Sequence, residues 1–497
     1  MMTINNIKKV LVAGSLLLSV SACDHFEEMN VDPTKPAKTP TSYLLTQSQK
    51  SLVDLLFDMS IASFSDFGNH YAQLLSAGSY TDVSNYQTVE SSFYSFYTGG
   101  LNDLEQIIQL NTDETTLVDA QASGSNENQI AVAKILQSWA FHNVTDIWGA
   151  VPYSEALKGN EVFKPKYDSQ KEIYKGILET LSASVDMIDT GTAIEGDIIF
   201  GGDMTKWKKF ANSLIMRIAM RAAEASGADF DAKAYFAAAA ADAIASNADN
   251  AQLVYDAAAA NSNPYYQWIT LQGRRDYYVS DRLMSKLKDV VNPSDATMMM
   301  DDPRLTYYAQ PSASGSIYAG MPYGNAQGEV TGDALDQYSF PGKDFVSATS
   351  PFVLMDYAEV EFLMAEAVKR GWVSGNAEDH YNTAVKAAIT QYNTGITEAE
   401  LDDYLTYIPY DDANWEESIH EQKWVAFYMQ GLQAWAEQRR TNFPALAPSP
   451  NASEGRTIPA RRVYAQNEFD LNGENLATGI EMNGGNDYNT KLWWDID

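Results

Sequence analysis

The stretch "DYAEVEFLMAEAVKRG" (356–371), followed by "WVSGNAEDHYNTAVKAAITQY" (372–392), decides how this chain reads. Each half carries helical periodicity, and "WVSGN" supplies a break between them. Aligned to the tetratricopeptide pattern, Ala365 takes the small-residue position of the first helix. Ala377, Tyr381 and Ala384 take the A-x₃-F-x₂-A positions of the second. Small residues there let two helices approach, and Tyr381 packs into the groove between them. The expected Trp and terminal Pro are absent, so a generic helical hairpin remains the competing reading.

Outward from this hairpin the helical pattern recurs. "FYSFYTGGLNDLEQII" (93–108) sets Phe93, Tyr97, Leu101, Leu104 and Ile108 on one face, with Gly99-Gly100 as a weak point. "NQIAVAKILQSWAFHNVTDIW" (128–148) repeats the pattern with Ile135, Leu136, Trp139 and Ala140. "SQKEIYKGILETLSASVDMI" (169–188) begins with Ser169 and Glu172 at capping-box spacing. "KWKKFANSLIMRIAMRAAE" (206–224) and the alanine-rich "FDAKAYFAAAAADAI" (230–244) are strong helix formers. Strand-like alternation is scarce. The fold class is mainly α.

The N-terminus carries a processing signal. Lys8 and Lys9 precede the apolar run Val10–Val20, which is too short to span a membrane. Cys23, the single cysteine of 497 residues, follows the small residues Ser21-Ala22. Val20-Ser21-Ala22-Cys23 is similar to a bacterial lipobox, with Val in place of the usual Leu. Residues 1–22 are therefore expected to be a signal peptide, with Cys23 lipidated. A plain secretory signal with a chance cysteine is the alternative. Residues 23–42, acidic and then Pro- and Thr-rich, read as a flexible tether, and 43–497 as one helical domain. Long turn-rich insertions at 260–350 and 441–497 interrupt it, and long ordered loops of this kind tend to carry function.

The net charge is −32. Loss of residues 1–22, with Lys8 and Lys9, leaves 475 residues at −34. Such a surface argues against nucleic-acid partners and disfavours polyanionic substrates. "RTIPARR" (456–462) is the one basic patch and reads as a solvated loop. No disulfide framework exists.

Catalytic signatures are missing: no G-x-S-x-G elbow, phosphate loop, H-E-x-x-H or G-x-G-x-x-G occurs. His25, His70, His142, His380 and His420 show no metal-ligand spacing. Adjacent acids such as Asp301-Asp302 and Glu416-Glu417 arise by chance among 66 Asp and Glu. No cofactor is indicated. A structural calcium ion would suit the acidic composition, but no EF-hand-like loop marks one. The loop aromatics are a better lead. Tyr265, Tyr266 and Trp268 cluster in "NPYYQWI", after a proline expected to disfavour helix. Tyr318 and Tyr323 flank "AGMPYG", and Tyr80 and Tyr86 lie in "SAGSYTDVSNYQ". Such rings stack on the apolar faces of sugars, while Asn and Gln bind hydroxyls. Equally, they seal loops onto a helical body.

Several segments together resemble the SusD/RagB family of nutrient-binding outer-membrane lipoproteins of Bacteroidota. They are "TDIWGAVPYSEALKG" (145–159), "PKYDSQKEIYKGIL" (165–178), "GDMTKWKKFANSLIMRIAMR" (202–221), "PFVLMDYAEVEFLMAEAVKRGW" (351–372) and "QKWVAFYMQGLQAWAEQRRTNFP" (422–444). "CDHFEEMNVDP" (23–33) is similar to the family's lipidated, surface-exported N-terminus. The resemblance implies a superhelix of tetratricopeptide-like helix pairs supporting a loop-rich, ligand-binding half. It implies a lipid-anchored protein on the outer face of the outer membrane. There it would capture a glycan or a peptide for a SusC-like TonB-dependent transporter, without catalysis. The family's ligand residues are not carried by a short motif, so the seven aromatics above remain a reading of this sequence alone. Trp148, Gly149, Pro152 and Tyr153 are expected to turn the chain between helices, and Arg439 and Arg440 to close one. Two rivals stand beside this reading: a secreted α-helical polysaccharide-degrading enzyme, and a repeat adaptor with no small-molecule site.

Overall fold

The computed structural model describes residues 39–61 and 67–496. The expected signal peptide, Cys23 and most of the tether lie outside the described residues. Helices of eight residues or more are numbered. α1 (Thr41–Ser60), α2 (Asn102–Thr112), α3 (Asn126–Trp148), α4 (Gln170–Met187), α5 (Met204–Arg221) and α6 (Ala232–Ala239) form the first half of the body. α7 (Tyr357–Lys369), α8 (Ala377–Thr390), α9 (Glu398–Leu405), α10 (Trp415–Ala426), α11 (Gly431–Thr441) and α12 (Gln466–Asn483) follow. Successive helices pack as pairs, α3 on α4, α5 on α6, α7 on α8 and α10 on α11. The fold is mainly α.

The α7–α8 hairpin forms as its small residues dictate. Ala365 and Ala384 are fully buried at the contact. Tyr381 fills the groove, and its hydroxyl donates to the Ile408 carbonyl at 2.8 Å. The capping box of α4 is complete, with the Ser169 hydroxyl accepting from Glu172 N and the Glu172 carboxylate accepting from Ser169 N. Gly149 caps α3 at φ +81°, and Trp148 donates its indole N–H to the Ser91 carbonyl at 2.9 Å.

Two helical expectations are corrected in part. Residues 93–108 do not form one α-helix. The backbone passes through a π turn over Tyr97–Leu101, with Gly99 off helical geometry. Gly100 is pressed against α1, where a Cβ would lie 2.4 Å from Leu52 Cγ. The alanine-rich stretch is α-helical only over Ala232–Ala239 and then tightens into a 3₁₀ turn, Ala240–Asp242. Within α6 only Phe236 and Ala239 are buried, too narrow an apolar face to sustain a long helix.

Among the described residues the strands are short and form four two-stranded sheets. β1 (Leu75–Ala77) pairs antiparallel with β4 (Tyr277–Val279), in register Leu75 to Val279. β2 (Glu90–Ser91) runs parallel to β8 (Val463–Tyr464). β3 (Ala251–Leu253) pairs with β7 (Phe352–Met355), and β5 (Val290–Asn292) with β6 (Asp295–Met300). One buried apolar cluster runs from Leu44 to Trp494, and a second lies under α7–α10.

Buried charges in the body are paired. Arg217 on α5 donates through Nε and Nη2 to both carboxylate oxygens of Glu359 on α7, at 2.7 and 2.5 Å. Arg221 meets Asp146 at 2.7 Å. Arg439 and Arg440 do lie in the last turn of α11, but both are interior. Arg440 joins Glu366 and Glu437, each at 2.7 Å, and Arg439 lies 3.5 Å over the Trp435 ring. "RTIPARR" is likewise not a solvated patch. Arg461 and Arg462 are buried, and Arg462 donates to the Thr88 and Glu90 carbonyls and the Tyr71 hydroxyl. Thr88 lies in irregular backbone and Glu90 in the short edge strand β2, neither of which has a helix to satisfy its carbonyls. At the first residue of α11, the chain crosses the segment at Gly68 in direct backbone contact. A Cβ on Gly431 would lie 2.1 Å from Asn69 N, and one on Gly68 would lie 2.8 Å from Gly431 C.

Candidate functional site

The seven sequence-predicted aromatics divide by burial. Tyr86, Tyr265 and Tyr323 are interior, and Tyr86 has no exposed surface. Tyr86 accepts from Ser449 N and from the Tyr323 hydroxyl, at 3.3 and 3.4 Å. These three rings supply apolar burial to turn-rich segments that lack a helical stripe, and as placed they offer no face to a ligand. Tyr266 and Tyr318 are half-buried. Tyr80 is 55% exposed, and Trp268 is 8% exposed.

The structure brings Tyr80 and Trp268 together through a residue that sequence reasoning did not single out. Asn263 caps a short turn, accepting from Tyr265 N and Tyr266 N at 2.8 and 3.1 Å. Pro264 sits at the first helical position, where its missing N–H costs nothing. The proline therefore starts a turn of helix, Pro264–Tyr266, rather than preventing one, and the turn continues as a π turn over Gln267–Leu271. This places the Trp268 ring against Tyr277, with centroids 5.3 Å apart. Gly273 follows at φ +69°, a backbone conformation that glycine adopts without strain. Arg274 follows, its guanidinium 4.9 Å from the Trp268 ring centre and 5.4 Å from that of Tyr80. Asp276 holds it, accepting from Arg274 Nε at 2.6 Å. The β1–β4 pairing delivers Tyr80 to this point, and Gly78 N donates to the Asp276 carbonyl at 2.7 Å. The result is a ring–guanidinium–ring stack whose outer member stands open to solvent.

The same segment borders a cleft of about 410 Å³. Thr270, Arg275, Tyr278, Gln310, Asp336 and Tyr338 are among its lining residues. Arg275 Nη1 lies 3.2 Å from Asp336 Oδ1. A larger groove of about 500 Å³ lies on the helical body between Thr39–Thr41 and Gln106, Leu110 and Ala122, but no aromatic ring is among its described lining residues.

One cluster has the donor atoms for a metal. Glu366, His420 and Glu437 are buried, with ligand atoms within 4.8 Å of one another. Their charge is already met, by Arg440 at 2.7 Å from both carboxylates, Arg370 at 2.7 Å from Glu366 and Lys423 at 3.0 Å from Glu437. Burial alone would push the Glu366 carboxyl up, but the Arg440 and Arg370 charges outweigh it and hold that carboxyl well below the usual range. Three cations in this contact shell leave no place for a fourth, so the cluster is an ion-pair network. Asp302, from one of the adjacent acidic pairs, is likewise committed to Arg304 and Tyr404.

Among the described residues no helix is long and apolar enough to cross a membrane. No curated protein sequence matches the chain. Among solved structures, a chitin-binding protein is 27% identical with a TM-score of 0.77, covering 92% of this chain and 100% of its own. A SusD homologue of Bacteroides fragilis is 25% identical with a TM-score of 0.74, over 92% and 99%. A SusD homologue of Parabacteroides distasonis, at 22% identity and a TM-score of 0.77 over 92% and 98%, shares the fold. The SusD-like family model, described as starch-binding and associating with the outer membrane, matches residues 33–465. With helix pairs carrying a loop-rich half and a family match over most of its length, the chain belongs to the SusD-like family of nutrient-binding, outer-membrane-associated proteins.

Proposed function

We propose that this protein captures a glycan at the cell surface and passes it to a SusC-like TonB-dependent transporter, without catalysis of its own. The observation that carries the reading is the Tyr80–Arg274–Trp268 stack, an aromatic platform left open on a chain of this family. An exposed ring backed by a fixed cation and a second ring is pre-ordered for a sugar face, so little side-chain freedom is lost on binding. The chitin-binding relative and the starch-binding family description make β-1,4-linked N-acetylglucosamine and α-glucan oligomers the first ligands to try. Calorimetric titration of the mature protein with both, and with peptides of mixed sequence, tests this. Peptide binding with no glycan binding would replace the glycan by a peptide, and release of reducing sugar would replace the binder by an enzyme.

Attachment is proposed through lipid on Cys23, with the protein facing the exterior. Each buried CH₂ contributes about 0.8 kcal/mol, so several acyl chains anchor where one would not. Cys23→Ala is expected to leave the protein soluble, or uncleaved with its signal peptide. An unmodified Cys23 in the intact mass of the native protein would overturn the anchor.

A further inference from the structure

We propose that the cleft beside the Tyr80 stack is a second sugar subsite, so that the ligand is a neutral oligosaccharide long enough to reach both; this rests on the glycan reading above. The volume of about 410 Å³ falls within the usual range for small-molecule sites. Its lining mixes rings with hydrogen-bonding groups. Tyr278 and Tyr338 offer apolar faces, while Thr270, Gln310, Arg275 and Asp336 offer donors and acceptors suited to hydroxyls.

A second observation points to a ligand. Tyr278 is buried, yet its hydroxyl finds no hydrogen-bond partner among the described residues. A buried hydroxyl left this way is costly, and because Tyr278 lines the cleft, a polyhydroxylated ligand seated there would offer it a partner.

Charge selects the class. Arg275 and Asp336 compensate each other at 3.2 Å, so this pair gives the cleft no net charge. The chain as a whole carries −32. An acidic glycan would gain no unpaired cation here and would meet a repulsive field. A neutral sugar exchanges hydrogen bonds with the pair at no such cost.

Reach follows from the backbone. Trp268 and Arg274 form the stack, whereas Ile269, Thr270 and Arg275 line the cleft, so one short segment serves both. On the other side Gly78 abuts the cleft wall, where a Cβ would lie 2.7 Å from Leu335 and 3.1 Å from Tyr278. Tyr80 is two residues further on, at most about 7 Å of extended chain. The two surfaces are therefore near neighbours.

The test is a length series. Chitin and maltose oligomers, from disaccharide to hexasaccharide, are titrated into the mature wild-type protein and into Tyr338→Ala, Gln310→Ala and Tyr80→Ala, with melting temperatures recorded in parallel. Wild-type affinity is expected to climb with length in whichever series binds. Tyr338→Ala or Gln310→Ala should weaken the long members about tenfold and leave the short ones unchanged. Tyr80→Ala should weaken every member. Wild-type affinities for both cleft variants at all lengths would overturn the second subsite and leave the glycan reading standing. Tighter binding of a uronic-acid oligomer than of any neutral one would overturn the assignment of class. No binding of any sugar by the wild type would remove the glycan reading, and this inference with it.

Discussion

Arg217 and Arg274 show two opposite uses of one side chain. In the helical body Arg217 is interior, forked onto both oxygens of Glu359, and held further by the Leu354 carbonyl at 2.9 Å. In the loop half Arg274 lies between two rings, one of them largely exposed. The body saturates its charges and locks helix to helix. The loop half leaves an aromatic face uncovered. Where the halves meet, the body's rule returns: Arg304, from the loop insertion, pairs with Asp302 and donates to Gln422 of α10 at 2.7 Å. The ion pair holds helix to helix, whereas the Tyr80 ring rests on its guanidinium with more than half of its surface free.

The largest expected effect breaks the body's side of this contrast. Arg217→Met leaves the Glu359 carboxylate buried without its partner, and should cost about 3–5 kcal/mol in urea unfolding. Arg217→Met combined with Glu359→Leu should recover most of that loss. A double variant as unstable as the single one would show that the pair is not acting as a unit.

Next comes the open platform. Tyr80→Ala should remove about 2 kcal/mol of glycan affinity and leave the unfolding midpoint in place. Tyr265→Ala, which empties an interior site, should lower the midpoint by the cost of a core cavity. If these two behave alike, the division between packed and open rings fails.

A smaller effect tests the body's local order. Ser169→Ala removes the cap of α4 and should cost about 1 kcal/mol, with faster amide exchange confined to the first turn.

The last is a pH effect on α1. Burial, and then the neighbouring Asp54, push the Asp58 carboxyl up to about 7. In the unfolded chain it ionises near the ordinary carboxylate value. Between these two values the unfolded state holds fewer protons, so Asp58's contribution is full below about pH 4 and is lost as pH rises toward 7. Asp58→Asn should therefore raise the melting temperature at pH 7.5 and change it little at pH 4. An equal shift at both values would remove the titration from the explanation.

The body was readable because its signals are local. Ser169 and Glu172 lie three residues apart, and Ala365 and Ala384 lie on adjoining helices, so periodicity and spacing suffice. The platform was half readable. The aromatic loops stand out in the sequence, but composition does not tell an interior ring such as Tyr86 from an exposed one such as Tyr80, six residues away. That outcome is decided by β1 pairing with β4, some 200 residues apart in the chain. Arg274 went unnoticed because its role needs both rings in place. "RTIPARR" misled because a basic loop also serves to satisfy carbonyls of non-helical backbone, as Arg462 does. The helical turn that starts at Pro264 was hidden because the first-position rule favours proline where the general rule disfavours it.

The crossing of Gly68 and Gly431 has a consequence for how such a protein diversifies. Neither glycine needs a left-handed backbone, so inspection of torsions alone would mark both as free to change. Their intolerance comes from each other, across 362 intervening residues. A saturation library should find both positions closed even to alanine, and no single compensating change elsewhere should reopen them, because the obstacle is main chain and main chain cannot be shortened by substitution. Insertions and exchanges in the loops, by contrast, leave this crossing untouched. New specificities can then be tried on one side of a fixed pivot without the framework being renegotiated each time.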